Sequence, residues 1–123
     1  MVGFLNGKTD KIVKLLVSFL ELSKDQALVL IYLIRNGKKT ILEMSLDLKI
    51  EENKIIVAVE ALLTNGMVFD LDGLKYNTFH PRFSIANCYR KNCEKKGLSL
   101  EKNVQIDALA AMLELLYESG RPK

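Results

Sequence analysis

Apolar residues recur three and four positions apart along most of the chain. Ile12, Leu15, Leu16, Phe19 and Leu20 share one face, separated by Lys11, Lys14 and Ser18, which predicts a helix over about 10–20 started by Thr9 or Asp10. A second helix opens at Ser23, where Gln26 three residues on completes a capping box. Ala27, Leu30, Ile31 and Ile34 form its buried stripe, and Gly37 stands just past its end. Thr40 with Glu43 repeats the capping pattern and starts a short helix over 41–48, whose Ile41, Met44 and Leu48, followed by Ile50, point inward. A fourth helix over 52–65 is apolar at Ile55, Ile56, Val59, Leu62 and Leu63 and is stopped by Gly66.

The period then changes. From Met67 to Asn77 two β-prone runs flank Asp72-Gly73, a strong short-range signal for a hairpin over about 67–78. Pro81 suits the first turn of a fifth helix that runs to about Lys96 and is closed by Gly97. Ser99 is the expected cap of a last helix reaching about Glu118, with a loose tail from Ser119 onward. The expected class is mainly α with a small β-hairpin. Helices joined by a tight turn and followed by a hairpin make a winged helix-turn-helix. It would occupy residues 1–79, leaving 80–123 as a helical extension for dimerisation. Helix 52–65 would then lie in the DNA major groove, with hairpin 67–78 as the wing.

Composition adds little except by its distribution. The 123 residues suit one domain, with 49% hydrophobic and 27% charged residues and a net charge of +3. Residues 80–97 carry Arg82, Arg90, Lys91, Lys95 and Lys96 against Glu94 alone, a stretch that suits either phosphates or a solvated helix face. Residues 23–66 are balanced, with six basic and six acidic side chains. No apolar run approaches the ~20 residues of a membrane span, and the N-terminus does not read as a signal peptide. The expected location is therefore cytoplasmic and nucleoid-associated, with no membrane partner.

Within this frame the candidate DNA contacts are Lys38, Lys39 and Thr40 at the start of the third helix, Lys49, Asn53 and Lys54 around the turn and the start of the fourth, and Lys75 in the wing. Helix N-termini receive phosphates, Asn reads adenine, and Lys reaches guanine or phosphate. Glu51 and Glu52 oppose this, although acidic residues also suit a helix N-terminus.

The stretch from Leu22-Ser23 and Ala27, through Leu33, Gly37, Thr40 and Glu43, to Ile50, Ile55, Leu62, Gly66 and Val68 resembles the TrmB-like family of archaeal transcription regulators. His80-Pro81-Arg82-Phe83, followed by Tyr89-Arg90, is similar to the start of the helical extension in its short members. The resemblance implies a DNA-binding regulator, commonly dimeric, and a short form with no sugar-binding domain. Two features depart from the family pattern. Lys49 stands where members often have a turn glycine, so a changed or strained turn is expected there. Glu51 and Glu52 stand where members often begin the recognition helix with proline and a basic residue.

In the last helix Ile106, Leu109, Leu113 and Leu116 repeat at heptad spacing and are the expected dimer interface. Val104, Ala108, Ala111, Leu115 and Tyr117 add apolar surface on other sides. Catalysis, metal and cofactor are not expected. His80 is the sole histidine and is assigned to the junction after the wing; Cys88 and Cys93 match no zinc or redox spacing. The expected function is a homodimeric DNA-binding transcription regulator, with double-stranded DNA and a second copy as partners. The alternative is a winged-helix protein-interaction module that no longer binds DNA.

Overall fold

The computed structural model describes residues 7–119. Helices α1 (Gly7–Leu20) and α2 (Lys24–Asn36) are followed by a two-residue strand β1 (Lys39–Thr40), then α3 (Ile41–Leu48) and α4 (Glu52–Thr64). The hairpin β2 (Val68–Leu71) and β3 (Lys75–Thr78) leads into α5 (Pro81–Lys96) and α6 (Val104–Ser119). The fold is mainly helical with a small three-stranded antiparallel sheet ordered β1-β3-β2, an arrangement compatible with a winged helix.

Helix α2 is the axis of the molecule. Every residue from Ala27 to Ile34 is buried, so the stripe expected on one side becomes a helix covered all round. It packs against α1, α3, α4, α6 and β3. The capping boxes at Ser23 and Thr40 both form. Ser23 Oγ accepts from the Gln26 amide at 3.1 Å, and Thr40 Oγ1 accepts from the Glu43 amide at 3.1 Å. Ile85, Cys88, Ile106, Leu109 and Leu113 belong to the same core as α1 to α4, so the expected extension shares its core with the expected domain.

Three local expectations are corrected. Strand β1 was not foreseen; two residues are too few for a period, and β3 supplies the pairing that defines it. Helix α6 begins at Val104, not after Ser99, because Asn103 Oδ1 accepts from the amides of Gln105 at 2.9 Å and Ile106 at 3.1 Å. Ile56, expected on the apolar face of α4, is 41% exposed. The expected tail lies, beyond Ser119, outside the described residues.

Candidate nucleic-acid interface

Strand pairing assembles the first group of candidate residues. Lys39 stands opposite Tyr76 and Thr40 opposite Lys75, so β3 carries the hairpin's only lysine to the start of α3. Lys38 is exposed beside them. Glu43 lies at the centre of this group. Its carboxylate accepts from the Thr40 amide at 3.0 Å and sits 3.9 Å from Lys39 Nζ. That backbone hydrogen bond, with Lys39 and Lys75 nearby, holds the Glu43 carboxyl below its ordinary range. Thr40 therefore differs from its expected role. Its hydroxyl and its amide are both engaged by Glu43, and a carboxylate already stands where a phosphate would. Lys38, Lys39 and Lys75 remain as cations around it.

The second group surrounds the turn between α3 and α4. Lys49 adopts the left-handed conformation (φ 57°, ψ 45°), the geometry for which a glycine was missed. Ser45 locks the turn, its Oγ donating to the Ile50 carbonyl at 2.6 Å and its own carbonyl accepting from the Ile50 amide at 3.2 Å. Tyr32 ties α3 to α2 by donating to Asp47, and burial with the neighbouring carboxylate pushes its phenol well above the usual range. Glu51 caps α4 without a side-chain hydrogen bond, and Glu52, Asn53 and Lys54 are all exposed. Asn53 and Lys54 also line a hollow of about 240 Å³ shared with Ser23, Asp25 and Gln26 at the start of α2. The solvent face of α4 continues through Ile56, Val57 and Glu60, so it is mixed apolar and acidic, with Lys54 its one cation.

The hairpin tip is built from Asp72 (φ 61°) and Gly73 (φ 70°), the paired positive angles a tight primed turn requires. Asp70 Oδ1 accepts from the Gly73 amide at 2.5 Å, which gives Asp70 a turn role. Leu74 projects from the tip, 71% exposed. At the other end α5 grips both feet of the hairpin. Ser84 Oγ donates to the Met67 carbonyl at 2.8 Å and lies 3.1 Å from the Phe79 carbonyl; Asn87 Nδ2 donates to the Gly66 carbonyl at 2.8 Å. A Cβ on Gly66 would come within 3.0 Å of Asn87 Nδ2, and its φ of 71° already favours glycine. Sequence reasoning missed these grips; the only signal was a pair of polar residues three apart beside Ile85 and Cys88.

His80 holds the junction as expected. Its Nδ1 accepts from the Arg82 amide at 3.2 Å, its Nε2 lies 3.3 Å from Glu114, and its ring meets that of Tyr117 at 5.2 Å. Arg82 binds the same carboxylate at 2.8 Å, and this hydrogen bond is the main reason the Glu114 carboxyl lies below its ordinary range. Cys88 and Cys93 are free and buried, and burial pushes the Cys88 thiol up to about 11.

The expected dimer stripe is corrected. Ile106, Leu109 and Leu113 are buried in the chain's own core, and Leu116 packs against it half-buried, because α6 turns this side toward α1, α2 and α5. The opposite side is open: Val104 is 76% and Leu115 64% exposed, with Ala108 and Ala111 between them.

Comparison with protein-family models, curated proteins and solved structures gives no match. Among the described residues, no helix is long and apolar enough to cross a membrane. The observations that bear on function are therefore the chain's own: two groups of lysines around α3 and the start of α4, a hairpin beside them, and an uncovered apolar face on α6.

Proposed function

We propose that the protein is a winged helix-turn-helix regulator that binds double-stranded DNA, with α4 toward the major groove and the β2–β3 hairpin against the backbone. One observation carries this reading. The Thr40–Lys75 pairing gathers Lys38, Lys39 and Lys75 where the hairpin meets α3, while Lys49 and Lys54 flank the start of α4. Phosphates attract such a spread of cations with little regard to sequence. Base reading would fall to Asn53, with Lys54 beside it. The resemblance to TrmB-like regulators agrees with this assignment. Glu43, Glu51, Glu52 and Glu60 lower the affinity of a single chain, so two linked copies are needed for useful occupancy. The second copy would dock on the open side of α6, along Val104, Ala108, Ala111 and Leu115, whose spacing of four, three and four is that of a helix-pairing seam.

Fluorescence anisotropy with a labelled random duplex at about 50 mM salt tests the reading. Wild type binds, and Lys39→Glu with Lys75→Glu weakens binding at least about tenfold, roughly 1.4 kcal/mol. Lys11→Glu on α1 leaves it unchanged. Absence of duplex binding by wild type rejects the proposal. A second reading would then stand, favoured by the exposure of Leu42 and Leu46 on α3 and of Ile56 and Val57 on α4. Apolar side chains rimmed by Glu51, Glu52 and Glu60 suit a protein surface better than a phosphate backbone.

A further inference from the structure

A groove of about 440 Å³ runs between α5 and the start of α6, under the segment 98–103 that joins them. That segment is irregular and strapped down at two points. The Tyr89 hydroxyl donates to the Glu101 carbonyl at 3.1 Å, and the Leu98 amide donates to the Cys93 carbonyl at 2.9 Å. A second hollow of about 530 Å³ adjoins the groove, lined by the same segment with α5 and the end of α1, and shares Tyr89, Glu101, Lys102 and Asn103 with the first. The first space is within the ~300–1,000 Å³ range of small-ligand sites.

Its lining sets the ligand chemistry. Ile85, Ala86, Ile106 and Ala110 make one side apolar, while Arg90 and Lys102 supply cations. Arg82 also reaches the groove, but it is committed to Glu114 at 2.8 Å and lies near Asp107 and Glu118. Arg90 donates to the neutral Asn87 Oδ1 at 3.2 Å. Neither Arg90 nor Lys102 forms an ion pair among the described residues. With Arg82 committed to Glu114, Arg90 and Lys102 share the lining with Glu101 and Asp107, and the preference for an anion rests on these two cations forming no ion pair among the described residues, not on a net charge. A polyhydroxylated ligand would set hydroxyls against Ile85, Ile106 and Ala110, whose side chains return no hydrogen bond. An apolar body with one anionic group satisfies both halves of the lining.

We propose that the groove between α5 and α6 binds a small amphipathic anion, a carboxylate or sulfonate on a compact apolar frame, with Arg90 and Lys102 holding the charge. The proposal does not rest on DNA binding. Titration of the full chain with 8-anilinonaphthalene-1-sulfonate, an aromatic sulfonate that fluoresces when its rings leave water, provides the test. We expect a saturable signal at one equivalent per chain. Ala86→Trp, a change at an exposed position that fills the groove, removes it. Arg90→Glu weakens it at least about tenfold, and Arg90→Lys largely retains it. Val17→Glu, at an exposed apolar position on α1, leaves it unchanged. Circular dichroism verifies that each variant is folded, and Arg90→Glu decides the matter if Ala86→Trp is not. A signal that never saturates overturns the proposal. So does one insensitive to both groove variants, or one abolished by Val17→Glu.

Discussion

Lys49 holds a left-handed backbone conformation that costs an L-residue roughly 1 kcal/mol relative to glycine. We expect Lys49→Gly to raise stability by about that amount in urea melts while removing one candidate phosphate contact. The site was legible through the resemblance to TrmB-like regulators, whose members often have a turn glycine where Lys49 stands. Glu114 illustrates a different residue-scale effect. The Arg82 hydrogen bond holds its carboxyl below the ordinary 4.5, so folding favours the ionised form. The stabilisation is fully present above the unfolded value and disappears as pH falls through the lower folded value. Melting temperatures of wild type should therefore drop more steeply than those of Glu114→Gln as the solution is acidified below about pH 5, and added salt should narrow the difference. Glu43, held low by the Thr40 amide, contributes with the same sign.

At the scale of elements, most boundaries were legible because local chemistry writes them. Ser23-x-x-Gln26 and Thr40-x-x-Glu43 form the reciprocal bonds their spacing promised, and Pro81 and Gly97 bracket α5 as expected. Helix α6 was legible as a helix but not in its orientation. Two sets of residues on it, Ile106–Leu109–Leu113–Leu116 and Val104–Ala108–Ala111–Leu115, have heptad spacing, and periodicity alone does not say which meets the core. Neighbouring helices decide it in favour of the first. The two faces consequently respond differently to charge. Leu109→Glu buries an unpaired carboxylate and should unfold the chain, costing several kcal/mol. Val104→Glu with Leu115→Glu should leave the melting temperature nearly unchanged and, if α6 pairs with a second copy, convert dimers to monomers in sedimentation. A wild type already monomeric at tens of micromolar, about the range of weak association, ends the pairing proposal.

For the whole molecule, the decisive arrangement is long-range, which is why the candidate interface was only half legible. Each lysine could be named from the sequence. That Lys75 comes to Thr40 follows from a register fixed by three strands, one of them too short to foresee. The same distance in sequence hid Glu43's occupation of the α3 start and the contacts from Ser84 and Asn87 to the hairpin's feet. Ser84→Ala removes a buried donor shared by two carbonyls; we expect a loss of about 1–2 kcal/mol, with amide exchange accelerating first across residues 67–79. The grip has a mechanical consequence. Riveted at both feet to α5 and clasped near its tip by β1 at Thr40–Lys75, the hairpin acts as a coupling rod: a tilt of α5 is handed on to the start of α3, and only the tip around Leu74 stays clear of it.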